Sequence, residues 1–178
     1  MADAPRLGDW MLTISGVQFY PNDPRPEDVR SEDIAWSLSR MCRFGGHVTC
    51  EHYSVAEHSM LVASILPPHL RLQGLLHDAT EAYCQDLIRP VKRTVGFAYT
   101  VVEAGIWRAI AARYGLPEEL DLLVTQADNA VLLAEREQIV SRLGPEWSVP
   151  GEPARVSCRC LRARDVYPEF MSMLAALT

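Results

Sequence analysis

No stretch of this chain is apolar for the roughly 18 residues that a membrane-spanning helix needs, so no membrane partner is expected. The opening Met-Ala-Asp-Ala-Pro-Arg has no apolar core of the kind a signal peptide carries, and a cytoplasmic setting is expected. Cysteine comes as an odd number, five, with no export signal, which argues for free thiols over a disulfide framework. The Cys158-Arg-Cys160 pair is one residue short of the usual zinc spacing and has no second pair, so it is not read as a metal site. Positive charge is also scarce: 17 Lys and Arg face 23 Asp and Glu, a net charge of −6. That disfavours a nucleic-acid partner, whose phosphate backbone calls for an excess of cations. Repeats, low-complexity tracts and a linker long enough to separate a pair of domains are absent as well. At 178 residues the chain is long enough for one domain with a proper core, spanning 1–178.

What is present reads as all-α with a minor N-terminal β-hairpin. Residues 1–10 are expected to be loose. Met11 to Tyr20 alternates around Ser15-Gly16 as a short hairpin, and Pro21 to Pro26 is a turn-rich linker. Ser31 with Glu32 and Asp33 starts a helix that ends near Cys42, and Gly45-Gly46 makes Arg43 to His52 a loop. Ser54 caps a helix carrying Glu57-His58, which Pro67-Pro68 stops. A central helix is predicted from His69 to Cys84. Gln85 to Arg93, with Pro90 inside it, reads as a loop or a single turn. Amphipathic helices follow over 100–114 and from Pro117 to about Leu143. Residues 144–165 are irregular, and 165–177 is a last helix.

The chemistry concentrates in Gly74-Leu-Leu-His-Asp-Ala-Thr-Glu81. His77 and Asp78 stand together in an apolar run, where an imidazole and a carboxylate are costly to bury unless something pairs with both. His58 and Asp128 sit in similar surroundings on other helices. Two imidazoles and two carboxylates make a mixed nitrogen and oxygen ligand set, suited to one divalent transition metal (Mn, Co, Zn, Ni or Fe) better than to calcium. Spacing alone leaves a second reading open, in which each is a satisfied polar residue of the core. Glu81 lies four residues after His77, one turn along the same face, placed to act on a water as general base. Arg89, Lys92 and Arg93 cluster just beyond, and Arg43 precedes His58. Together they supply local positive charge for an anionic small molecule.

The order His58…His77-Asp78…Asp128 resembles the HD-domain phosphohydrolase superfamily. Tyr53-Ser-Val-Ala-Glu-His-Ser59, His77-Asp-Ala-Thr-Glu81, Asp86 to Lys92 and Ala127-Asp-Asn129 look like its 5′-deoxynucleotidases and the related small phage dATP triphosphohydrolases. The likeness covers roughly residues 31–140. On it, the chain divides into an N-terminal hairpin and linker (1–30), an HD core (31–143), and an irregular segment with a C-terminal helix (144–178).

The resemblance implies a metal held by His58, His77, Asp78 and Asp128, with Mg as a further option on the substrate phosphates. It gives Glu81 a catalytic role, and has Asp86 position the nucleophile or protonate the leaving oxygen. Arg43 and Lys92 match phosphate-binding positions. Phe44 stands where the relatives carry a tryptophan against the sugar, and Pro90 stands where they contact base or sugar. His47, in the loop, is a candidate substrate contact. The implied activity is release of nucleoside plus phosphate or triphosphate from a (deoxy)nucleotide by attack on the α-phosphorus. The implied assembly is a homo-oligomer. The competing readings are a non-catalytic metal or nucleotide sensor, a hydrolase of another phosphoester such as guanosine tetraphosphate, and a plain helical scaffold.

Overall fold

The computed structural model describes residues 5–140, 144–145 and 147–178. In chain order it holds strands β1 (Met11–Leu12) and β2 (Gln18–Phe19), then helices α1 (Ser31–Arg40), α2 (Val55–Ile65), α3 (Arg71–Leu76), α4 (Glu81–Cys84), α5 (Arg89–Val95), α6 (Phe97–Tyr114), α7 (Leu122–Gln138) and α8 (Ala163–Leu177). The strands pair antiparallel, Met11 with Phe19 and Leu12 with Gln18, as the alternation around Ser15-Gly16 predicts. The all-α class with a small hairpin therefore stands.

The helix at the middle is α2, not the stretch from His69 to Cys84. It packs against α1, α3, α7 and α8. Val55, Ala56, Glu57, His58, Ser59, Met60, Val62 and Ala63 are all buried, so its faces are covered nearly all round. Its start is fixed by Ser54, whose hydroxyl accepts the Glu57 backbone N–H at 3.0 Å. On one side of α2 lies the main core, built from Ile34 and Leu38 of α1, Leu75 and Leu76 of α3, Ile106 and Ile110 of α6, and Val166 and Phe170 of α8. Phe19 of the hairpin joins it by stacking on Tyr83 at 3.9 Å. On the other side Val62 and Leu66 meet Val124, Ala127 and Val131 of α7. The Glu57 carboxylate accepts the backbone N–H groups of Arg159, Cys160 and Leu161 at 2.6, 3.1 and 2.9 Å, which fastens the segment before α8 onto α2.

Several expected boundaries shift. The predicted 69–84 helix is two short helices joined by tight turns over 77–80. There the backbone bonds run three residues back, Ala79 to Leu76 O and Glu81 to Asp78 O. The cause is local: the His77 ring takes the Gly74 carbonyl at 2.8 Å, the acceptor that the Asp78 N–H would use in a continuous helix. Gln85 to Arg93 is not a loop throughout, since α5 begins at Arg89. Pro90 occupies its first turn, where a missing N–H costs nothing. Helix α6 begins at Phe97, earlier than residue 100. Helix α7 begins at Leu122 under an Asp121 cap, later than Pro117, and ends at Gln138. Residues 141–143, where its predicted end falls, lie outside the described residues. Residues 5–10 are not loose, because Arg6 pairs with Asp23 at 3.0 Å and Asp28 at 2.6 Å. No single helix among the described residues is long and apolar enough to cross a membrane.

Gly74 marks the closest approach of α3 to α2. A Cβ there would run into Leu66 Cδ1 and stand 3.4 Å from Ala63 Cα. Gly74→Val is expected to destabilise the fold by about 1–3 kcal/mol through overpacking. Urea midpoints check this, and a midpoint equal to wild type would mean that the crossing gives way freely.

Candidate metal centre

Three segments bring the candidate ligand residues together. Helix α2 presents His58, the turn after α3 presents His77 and Asp78, and α7 presents Asp128. His58 Nε2 lies 3.1 Å from Asp128 Oδ1 and 3.7 Å from Asp78 Oδ2. His77 Nε2 lies 3.3 Å from Asp78 Oδ2 and 4.0 Å from Asp128 Oδ1. The ligand atoms of His58, His77 and Asp128 all fall within 4.8 Å of one another, so this group is able to hold a metal ion. Separations of this size suit atoms that each stand about 2 Å from one shared centre.

The ring orientations also fit. Each histidine is anchored through Nδ1, His58 to Glu135 Oε1 at 2.6 Å and His77 to Gly74 O at 2.8 Å. Each Nε2 is buried and has no aligned hydrogen-bond partner. Two orphaned nitrogens aimed at carboxylate oxygens are costly unless a cation lies between them. Among the described residues, no comparable cluster includes Cys158 or Cys160.

Arg43 stands beside the ligand cluster. The bridge between Cys42 and Ser54, with Arg43 N donating to Tyr53 O at 2.9 Å, folds the loop back on itself and sets Arg43 beside the start of α2. Phe44, Gly45 and Gly46 all take left-handed backbone there. The buried guanidinium reaches Asp78 Oδ2 at 3.4 Å and Glu135 Oε2 at 3.3 Å.

Glu135 was not anticipated from the sequence. It is fully buried and also accepts the Tyr53 hydroxyl at 2.8 Å. The available signal was its position seven residues after Asp128, two turns along the same face of α7.

The electrostatics divide the carboxylates. Burial opposes ionisation of Asp78, but His77, then His58 and Arg43, hold it well below the usual carboxylate range. Burial likewise opposes ionisation of Asp128, and His58 with His77 brings it down to about 2. Glu135 is lowered against its burial by Arg43, His58 and Tyr53. Glu81 goes the other way: burial, then the charges of Asp78 and Asp86, push its carboxyl well above the ordinary value, and its Oε2 is buried without a partner. Burial raises Asp86 too, with Asp78 adding to it against the pull of Arg43.

The remaining candidates are spread round this point. Lys92 pairs with Glu103 at 2.6 Å, and its ammonium stands 5.5 Å from the Tyr99 ring centre. Half-exposed Arg89 reaches Asp128 Oδ2 at 3.3 Å and Asn129 Oδ1 at 3.4 Å. Phe44 lies between the Arg43 guanidinium, 5.3 Å from its ring centre, and the Trp147 ring at 6.0 Å. Pro90 and His47 are exposed, and among the described residues no contact joins His47 to the ligand cluster.

The chain is 41% identical over 146 residues to the uncharacterized protein YfdR of Escherichia coli (strain K12), covering 82% of this chain and 81% of that one. It belongs to the YfdR family. An uncharacterized protein of Rhodobacter capsulatus is 34% identical over 168 residues, 87% of this chain and 86% of its own length. No family model matches the chain. Neither relative's name states an activity.

Two outcomes follow for this YfdR-family site. His77→Ala and Asp128→Ala are each expected to weaken Mn²⁺ binding by more than about 100-fold, beyond the 10–100-fold typical of outer partners. Metal content after desalting reads this, and wild-type content in either variant would remove that residue from the ligand set.

The second outcome concerns pH. Burial and Arg43 oppose a charge on His58, but Glu135 and Asp128 outweigh them and hold its pKa at about 9. A histidine raised in the fold stabilises fully below its unfolded pKa, about 6.5, and that contribution is lost as pH rises through the folded value. His77 and Glu81, also raised, have the same sign, while the lowered Asp78, Asp128 and Glu135 are constant above about pH 5. Metal-free protein is therefore expected to lose about 2–4 kcal/mol between pH 6.5 and 9. Chelator-treated urea unfolding at pH 6, 7.5 and 9 measures it; a flat profile would contradict the assignment.

Proposed function

We propose that this chain is a divalent-metal-dependent phosphohydrolase of the HD-domain superfamily that cleaves the 5′-phosphoester of (deoxy)nucleotides. The observation that carries the reading is the convergence of two unpartnered ring nitrogens on Asp78 and Asp128, with the unpartnered Glu81 carboxyl and the Arg43 cation beside them. In this reading His58, His77, Asp78 and Asp128 hold a Mn, Co, Ni, Fe or Zn ion. Bound there, such an ion supplies Lewis acidity toward water and a phosphoryl oxygen.

The chain's own groups do the rest. Glu81 takes the proton of the attacking water. The water oxygen bonds to the α-phosphorus as the bond to the 5′-oxygen breaks. Asp86 gives that leaving oxygen its proton. Arg43 is the inner cation toward the phosphate, and Lys92 and Arg89 exchange their carboxylate partners for phosphate oxygens from α5. Phe44 and Trp147 form an apolar wall for the sugar, and Pro90 and His47 are candidate contacts to the nucleoside. The same groups serve a monophosphate or a triphosphate, since both lose the nucleoside from the α-phosphorus. All five cysteines are free, in keeping with a reducing cytoplasm as the setting.

The deciding experiment incubates the Mn²⁺- or Co²⁺-loaded protein with each dNMP, dNTP and NTP and separates the products. Nucleoside with inorganic phosphate marks a nucleotidase, and nucleoside with intact triphosphate marks a triphosphohydrolase. No nucleoside from any of them would reject the substrate class. Glu81→Ala is expected to retain the metal and lose about 10²–10⁴-fold in turnover, the usual worth of a positioned general base. Undiminished turnover would give Glu81 a structural role.

A further inference from the structure

We infer that Glu135 is a positioning residue of the metal centre: held by Tyr53 and Arg43, it decides which nitrogen of His58 carries the proton. The inference stands on the metal-holding group alone and does not depend on the substrate or the reaction.

A neutral imidazole has one proton and two candidate positions for it. On the Nε2 side of His58 the neighbours are Asp128 Oδ1 at 3.1 Å and Asp78 Oδ2 at 3.7 Å, both acceptors. Left to them, the proton would settle on Nε2, which would then have no lone pair for a cation. Glu135 competes from the other side. Its Oε1 is 2.6 Å from Nδ1, closer than either aspartate comes to Nε2, and both side chains are fully buried. An ionised carboxylate only accepts, so this contact requires the proton on Nδ1 and leaves the Nε2 lone pair facing the ligand point.

The carboxylate is itself held from three directions. Oε1 accepts the Tyr53 hydroxyl at 2.8 Å as well as the His58 ring, and Oε2 accepts Arg43 Nη2 at 3.3 Å. Arg43 in turn reaches Asp78 Oδ2 through Nη1, so one guanidinium ties the group behind His58 to a carboxylate in front of it. His77 has the same need and meets it differently, through the backbone carbonyl of Gly74, also acceptor-only. The two histidines are thus oriented by a charged and a neutral acceptor, and only the first can be removed by substitution.

Zinc, being diamagnetic, is the probe. In ¹⁵N-labelled, Zn²⁺-loaded wild-type protein, long-range ¹H–¹⁵N spectra are expected to show His58 protonated at Nδ1, with that proton slow to exchange, and metallated at Nε2. The opposite assignment overturns the inference without any variant. Glu135→Ala is expected to weaken Zn²⁺ and Mn²⁺ binding about 10–100-fold and, at a pH high enough for the metal-free ring to be neutral, to move the His58 tautomer to Nε2–H. Glu135→Gln retains an acceptor oxygen and is expected to fall between it and wild type. Tyr53→Phe, which leaves the carboxylate in place, is expected to cost only a few-fold. A purely structural Glu135 would lower the melting temperature but leave the affinity and tautomer of the folded protein unchanged. If Glu135→Ala does not fold, the wild-type spectrum and the Glu135→Gln affinity decide between the two.

Discussion

His58 is fully buried, and the elements around it are placed by what an enclosed imidazole must meet. One ring nitrogen faces Glu135 and the other faces Asp128, so α7 has to lie against α2 along two full turns. Glu135 in turn requires Arg43, and Arg43 reaches inward only because the Cys42–Ser54 bridge folds its loop back on α2. An isolated buried charge costs several kcal/mol, and such costs are met here by mutual pairing. The packing of α2 against α7 and the 43–53 loop is as much an electrostatic arrangement as an apolar one.

Much of this was legible from residue types. The His58…His77-Asp78…Asp128 order located the convergence, and Ser54 and the Ser15-Gly16 turn located a helix start and a hairpin. What escaped notice did so for particular reasons. The run Ala134-Glu-Arg-Glu137 has the composition of a solvated helix face, so a fully buried Glu135 within it carried no mark of its own. Pro90 reads as a breaker but serves as a first-turn residue. The apolar pattern through Gly74-Leu-Leu-His-Asp is helical, yet the His77 ring competes with the backbone for the Gly74 carbonyl and tightens the turn there. Side-chain bonds across the fold and within a turn decide these points, and periodicity does not encode them.

The cations divide by depth. Arg43 is buried, with two carboxylates on its terminal nitrogens, and belongs to the built frame. Arg89 and Lys92 sit on the outer helix α5, each on a single carboxylate and each more exposed than the partner it meets. Surface pairs of this kind are worth about 0–1 kcal/mol, so an arriving anion competes with them at little cost. Rigid charge at the back and exchangeable charge at the front is a division that residue types alone do not reveal.

The hold of Glu57 on residues 159–161 has a consequence for how this chain varies. Its carboxylate grips three main-chain N–H groups and, among the described residues, no side chain. A clasp of that sort is indifferent to the letters written at those positions but counts them. Substitutions there leave it closed, apart from proline, which brings no N–H, and from side chains that resist the left-handed backbone found at Cys160. An insertion or deletion slips the register and opens it. The stretch ahead of the last helix is therefore free to drift in spelling while its length stays fixed.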